Sequence, residues 1–265
     1  MDKYDIIIEG GQSNAEGSGL GPVEKEYEPR EDILYLDAEK DVVTTPERIE
    51  VNYKDLPFVI KVAKERPYND SKLGDLALTF SEKYIESGLL KNGRKILIVR
   101  GAIGGTGFQK GHWGVGAPVF EKMLEMTDYA LSLNPENKVV GFLWHQGEHD
   151  AFEGNTPANY KKQLLSTVET VRAKYGKTPF IAGDFSNEWK SLNIGICEPI
   201  IKVIKEVVDE VGCSAFVETA DLPSNNQKTG NGDNIHFCRQ SLHVLGERYF
   251  NAFMKILLSD SRSVI

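Results

Sequence analysis

The strongest constraint on this chain is a series of short apolar runs that lack polar alternation, each separated from the next by a longer stretch. Ile6-Ile7-Ile8, Ile96 to Val99, Val139 to Trp144, Phe180 to Ala182 and Ala215 to Val217 are such runs, and Ile33 to Leu36 is a weaker one. A strand that is apolar on both faces must be covered on both faces. Between the runs, Val119 to Leu133, Ala158 to Tyr175, Pro199 to Val211 and Arg239 to Leu258 carry apolar residues at spacings of three and four. The last of these puts Leu242, Leu245, Tyr249 and Phe253 on one helical stripe. Strands alternating with helices predict an α/β fold: a parallel sheet with helices on both sides. No repeat, low-complexity tract or long Pro/Gly/Ser linker divides the chain, so residues 1–265 are expected to form a single domain. At 40% hydrophobic residues there is enough apolar material for a core of that size.

Charge and cysteine usage narrow the function classes. The net charge is −8 with the histidines neutral, and no basic block is present. Nucleic acid and anionic membrane are therefore not expected as partners. No apolar run approaches the roughly 18 residues of a membrane span. The segment from Met1 to Ile8 has no signal-peptide pattern. Cys197, Cys213 and Cys238 lie far apart with no CxxC pair, which suits free thiols in a reducing compartment. The expectation is a cytoplasmic protein.

In a parallel sheet, ligands bind beyond the carboxyl ends of the strands, so the segment after each run matters most. After the first come Gly10 and Gly11, which allow a sharp turn, and then Gln12-Ser13-Asn14. Ser13 falls at a helix start, where backbone N–H groups are unpaired. A nucleophile there receives an oxyanion donor from its own backbone, although a serine there is also a plain N-cap. A phosphate loop is disfavoured, because no lysine stands at the required spacing and no GxGxxG appears.

After Ile96–Val99, the segment Arg100 to Gly107 holds four glycines. Their backbone can approach a ligand and offer a second N–H, or can simply make a tight turn. Phe108, His112 and Trp113 come next, either as a sugar platform or as packing for the loop. After Val139–Trp144 comes His145-Gln146-Gly147-Glu148-His149-Asp150, which matches the inverted zinc-peptidase spacing and would put a metal on His145 and His149. That chemistry needs both histidines on one helix face, whereas this segment leaves a strand directly and contains Gly147. Gln146 is better read as an amide N–H aimed at an oxyanion. Near the C-terminus, Asp233 and His236 are spaced for a carboxylate that orients an imidazole, though a loop Asp beside an unrelated His has the same spacing. The case rests on conjunction: serine, glycine, glutamine and Asp-His all fall at one sheet edge and suit one chemistry.

These residues together resemble the SGNH (GDSL-like) hydrolases, and among them the carbohydrate-esterase branch that contains sialate O-acetylesterases and acetylxylan esterases. Gly11-Gln12-Ser13-Asn14 matches that branch's opening block, and Ala102 to Thr106 resembles its second. Trp144 to Asp150 resembles its W-H-Q-G-E-x-D block, and Asp233 to Phe237 matches its closing DxxH block. The likeness runs from about residue 4 to residue 255, with the blocks in the family's order. It implies a three-layer α/β/α sandwich of flavodoxin-like SGNH type and a serine esterase with neither metal nor cofactor. Ser13 would be the nucleophile, His236 the general acid/base and Asp233 its orienting partner. The N–H groups of Ser13 and Gly104, with Gly105 as the alternative, and the Gln146 side chain would form the oxyanion hole. His145 and Glu148 would support the site from behind, and Asn14 would brace the serine turn.

The expected substrate is a small-molecule or oligosaccharide acetyl ester. The acidic charge leans toward neutral xylo-oligosaccharides, whereas sialic acid would call for a cation at the cleft such as Arg100 or Arg239. Two other readings stay open. One is a zinc metallohydrolase at His145 and His149; the other is a non-catalytic carbohydrate-binding protein that uses Trp113 and neighbouring rings. Cys238, two residues past His236, is read as a packing residue at a helix start.

Overall fold

A computed structural model describes residues 2–45 and 49–262. Its strands are β1 (Lys3–Gly11), β2 (Ile33–Asp37), β3 (Lys40–Thr44), β4 (Ile49–Tyr53), β5 (Val59–Val62), β6 (Arg66–Tyr68), β7 (Ser71–Leu73), β8 (Arg94–Arg100), β9 (Lys138–His145), β10 (Phe180–Gly183) and β11 (Ser214–Val217). Its helices are α1 (Ser13–Glu16), α2 (Leu76–Glu86), α3 (Pro118–Ser132), α4 (Glu148–Phe152), α5 (Pro157–Tyr175), α6 (Asn187–Leu192), α7 (Ile194–Val211), α8 (Asn225–Thr229) and α9 (Arg239–Arg262).

Seven strands form one sheet in the order β11-β10-β9-β1-β8-β2-β5, all parallel except β5, which runs antiparallel to β2. Five of them, β8-β1-β9-β10-β11, have the flavodoxin-like order 2-1-3-4-5. The topological switch point of such a sheet lies between β1 and β9, where ligands bind beyond the strand ends. The strands β2 and β5 extend the β8 edge.

Each apolar run is continuous because it serves two cores. Ile6, Ile8, Leu97, Val99, Phe142 and Trp144 pack on one side with residues of α3, α5 and α7. Ile7, Ile96, Ile98, Leu143 and Ile181 pack on the other with α2 and α9. Successive side chains of a strand point to opposite faces, so both parities must be apolar. The three-layer expectation holds.

Two features differ from the expectation. The helix expected from Pro199 begins at Ile194, with Pro199 inside it. Proline favours the first turn but does not mark it uniquely. Besides the expected strand β2, the segment between β1 and α2 forms the β3–β4 hairpin, β5 and the β6–β7 hairpin. Most of these strands are short and half-exposed, so they lack the two-sided apolar run that marks a buried strand.

Candidate active site

The serine turn is locked to the neighbouring strand end. Gly11 has φ of +132°, and a Cβ there would sit 2.2 Å from the His145 carbonyl oxygen, so only glycine fits. The Gln12 N–H donates to that same carbonyl at 2.9 Å. Ser13 then opens α1, a single turn whose first N–H groups are orphaned as at any helix start. Among the described residues the Ser13 N–H has no protein acceptor.

The chain returns to this point after α8. His236 Nε2 lies 2.9 Å from Ser13 Oγ, and His236 Nδ1 lies 2.8 Å and 3.0 Å from the two carboxylate oxygens of Asp233. Asp233 also accepts from Asn225 Nδ2 at 2.8 Å and from the His236 N–H at 3.2 Å. Burial works to raise the Asp233 carboxyl, but the hydrogen bonds from His236 and Asn225 outweigh it and hold the group below its ordinary range. Asp233 therefore stays a carboxylate and keeps the proton of His236 on Nδ1, leaving Nε2 to accept from the serine.

Asn14 ties the two halves together. Its Nδ2 donates to Ile235 O at 3.2 Å and its Oδ1 accepts from the Phe237 N–H at 3.1 Å, so it grips the backbone on both sides of His236. The same Nδ2 donates to Glu148 Oε1 at 2.9 Å. Glu148 is fully buried; burial pushes its carboxyl up, but His145 and Asn14 bring it below the ordinary value. Tyr249 donates its hydroxyl hydrogen to Trp144 O, so His145 Nδ1 must donate to Tyr249, at 3.0 Å. His145 Nε2 then faces Glu148 Oε1 at 3.6 Å. His145 and Glu148 thus lie behind the serine turn, on the side of Asn14.

The oxyanion side departs from expectation. Gly104 N–H, the expected second donor, is held by Glu16 Oε2 at 2.7 Å, and Arg66 grips the other oxygen of Glu16 at 3.1 Å. The Gly105 N–H has no protein acceptor among the described residues. Gly105 has φ of +70°, and a Cβ on it would come within 2.0 Å of Ile49 Cδ1 from the β3–β4 hairpin. Gln146 is fully buried, and its amide does not open on the cleft. Its Nε2 donates to Asp150 Oδ2 at 2.6 Å, with longer contacts of 3.3 Å to Thr106 O and Gln12 Oε1. The single hydroxyl hydrogen of Tyr160 is shared between Gln146 O at 2.9 Å and Gln146 Oε1 at 3.1 Å. The amide is satisfied inside the protein, and that is why it does not reach the cleft.

Three side chains with open alternatives find their places. Trp113 is not a sugar platform: it is buried, donates from Nε1 to Thr106 Oγ1 at 2.8 Å, and packs edge-on against Trp144 with ring centres 5.0 Å apart. Thr106 in turn donates to Ile103 O at 2.7 Å, so Trp113 rivets the glycine loop. Arg100 is not a cleft cation, because it stacks on Tyr35 with its carbon 4.5 Å from the ring centre and donates to Glu16 O. Arg239 is committed to Glu26 and Glu65. Cys238 packs at the start of α9, as expected.

Ser13, His236, Gln12, Gly104 and Gly105 line a cleft of about 410 Å³, with Thr44 and Ile49 from the β3–β4 hairpin and Phe152 at its rim. Phe152 is 72% exposed, so it is the bare aromatic surface here. Sequence reading missed these rim residues, because Thr44 and Ile49 belong to an insertion with no motif. A cavity of about 840 Å³ lies between α5 and α7, but its Lys161, Lys190 and Lys205 are paired with carboxylates and it holds none of the reactive groups. His145 and His149 do not converge: His149 lines the cleft, half-buried, with burial holding its imidazole below the ordinary range. Among the described residues no three His, Cys, Asp or Glu side chains are grouped so as to hold a metal. No helix among them is long and apolar enough to cross a membrane.

A serine hydrogen-bonded to an imidazole, itself held by a carboxylate at the carboxyl edge of a flavodoxin-like sheet, is the arrangement of the SGNH-type ester hydrolases. The chain belongs to the carbohydrate esterase family of sialic acid-specific acetylesterases, whose sequence model matches residues 3–255. A probable 9-O-acetyl-N-acetylneuraminic acid deacetylase of Escherichia coli (strain K12) is 28% identical over 88 residues, a stretch covering 29% of this chain and 27% of that protein. The fold is similar to that of NanS, with a TM-score of 0.72 at 19% identity, covering 97% of this chain and 98% of the other. It is also similar to a protein from Arabidopsis thaliana, with a TM-score of 0.67 at 19% identity over 96% and 99% of the two chains. A carbohydrate acetylesterase from Xanthomonas citri aligns with a TM-score of 0.61 at 17% identity, over 95% of this chain and 56% of that one.

Proposed function

We propose that this protein removes O-acetyl groups from sugar hydroxyls through an acetyl-enzyme on Ser13. The observation that carries the reading is the line from Ser13 Oγ to His236 Nε2 and from His236 Nδ1 to Asp233, with contacts of 2.9 Å and 2.8 Å. His236 takes the serine proton as Oγ attacks the ester carbonyl. The oxyanion that forms is met by the open N–H groups of Ser13 and Gly105. His236 then passes its proton to the sugar oxygen, which leaves as the alcohol. Water, deprotonated by the same imidazole, attacks the acetyl-enzyme, and His236 returns that proton to Ser13 Oγ as acetate leaves. Glu148 holds Asn14, and Asn14 holds the serine and histidine segments in register.

The family, together with the name of the Escherichia coli relative, supports an O-acetylated sialic acid as the substrate. Neutral acetylated xylo-oligosaccharide is the second reading. It is favoured by a cleft lined by Glu16 and Glu148 and, among the described residues, by no lysine or arginine. Acetate release is to be measured on 9-O-acetyl-N-acetylneuraminic acid and on acetylated xylo-oligosaccharides. Ser13→Ala should abolish release from whichever is hydrolysed. Near-full activity in the purified variant would end the serine-esterase reading, and the ratio of rates on the two esters decides between the substrates.

A further inference from the structure

We propose that the side-chain amide of Gln12 is a direct oxyanion donor, in the role expected of Gln146; the proposal rests on the serine-esterase reading of the same cleft. A primary amide offers acceptor lone pairs on its oxygen and two hydrogens on its nitrogen, so its direction is set by its partners. Gln12 Oε1 accepts from the His149 N–H at 3.1 Å and from Gln146 Nε2 at 3.3 Å. Turned over, the amide would press its own hydrogens against those two donors. Nε2 therefore points away from α4. Among the described residues it meets no acceptor, and it is not one of the unpartnered polar atoms sealed off from solvent. Gln12 lines the cleft and immediately precedes Ser13, yet it is only 3% exposed. A buried side chain whose one free end opens on the cleft is a preorganised donor.

The residues behind Gln12 reinforce that direction. Asp150 takes the Phe108 and Gln109 N–H groups at 2.9 Å and 2.8 Å, and receives Gln146 Nε2 at 2.6 Å. The second hydrogen of Gln146 Nε2 is shared between Gln12 Oε1 and Thr106 O, each at 3.3 Å. Each amide in such a chain polarises the next, which makes the terminal N–H of Gln12 a better donor. Gln146 is then a positioning residue that acts through Gln12. The rival role for Gln12 is purely structural, as an acceptor that caps the His149 N–H.

The two roles separate in kinetics. Gln12→Ala should lower kcat on a soluble acetyl ester by about 10²–10³-fold with KM nearly constant, as loss of one oxyanion donor does. Gln12→Glu keeps an acceptor for the His149 N–H but replaces the donor with a carboxylate oxygen, so its kcat should fall at least as far while its melting temperature stays close to wild type. A capping role alone predicts near-normal kcat for Gln12→Glu. Binding of a boronic acid, a mimic of the tetrahedral adduct on Ser13, should weaken in step with kcat in both variants. If Gln12→Ala does not fold, Gln12→Glu decides alone. A folded variant with kcat within about fivefold of wild type, in a preparation where Ser13→Ala is inactive, overturns the assignment of Gln12 and leaves the esterase reading intact. Activity in Ser13→Ala would overturn both.

Discussion

Replacing Asp233 with asparagine removes a charge without removing an atom, and the surroundings of the carboxylate set the size of the effect. Each of its oxygens accepts from two donors: Oδ1 from the His236 N–H and ring, and Oδ2 from Asn225 and the ring. Whichever way an amide is turned there, its NH₂ meets a hydrogen-bond donor. If the NH₂ faces the ring, Nδ1 becomes the acceptor and the proton moves to Nε2, where it blocks acceptance from Ser13. The lost attraction for the imidazolium formed during attack adds to this. Opposite charges about 4 Å apart are worth about 4 kcal/mol at an effective dielectric of 20, or about a thousandfold. Both side chains are 26% exposed, so solvent trims that figure, while the tautomer change restores it. A loss of about 10³-fold in kcat/KM is expected on 4-nitrophenyl acetate across pH 5–9, with far-UV circular dichroism unchanged. A folded Asp233→Asn variant that loses less than tenfold would refute the claim that Asp233 orients and charges His236.

Three other outcomes are expected from the same contacts. Glu16→Gln removes a negative charge beside the Gly104 N–H and leaves Arg66 without that ion-pair partner. Both changes favour a developing oxyanion, so kcat on 4-nitrophenyl acetate should rise several-fold, a gain of about 1 kcal/mol for a partly solvated charge; an unchanged or lower kcat contradicts this. Trp113→Ala should cost about 3–5 kcal/mol in urea unfolding, as loss of a buried large aromatic does, and should loosen the glycine loop, whereas an exposed sugar platform would leave stability untouched. Glu65 is buried, and burial pushes its carboxyl up, but hydrogen bonds from His243 and Arg239 more than reverse this and hold it below its ordinary value. Its contribution to stability is therefore complete above the unfolded carboxyl value, near pH 4.3, and is lost as pH falls through the lower native value. Glu65→Gln should lower the melting temperature at pH 7 and flatten its decline below about pH 4.5; an acid limb identical to wild type would show that the pair does not stabilise the fold.

The parts legible in the sequence are those whose partners are close along the chain or whose pattern is forced by burial on two sides. Ile6 to Ile8 and Ile96 to Val99 read as strands between two layers, because short runs rich in β-branched residues with both parities apolar suit a sheet covered on both faces. Asp233 and His236 announce each other from three residues apart, and Ser13 is marked by the glycines that make its turn. The β3–β4 hairpin carries no such mark, so Thr44 and Ile49 at the cleft were invisible. The glutamines show the limit most clearly. Both Gln12 and Gln146 stand in loops at the ends of adjacent strands, and either amide has the chemistry of an oxyanion donor. Which of them faces the cleft depends on Asp150, Tyr160 and a contact between residues 134 positions apart. A motif fixes which functional groups are present, but an amide has no direction of its own. Its role is decided by whichever donors and acceptors the fold brings around it, and that information is spread over the whole chain.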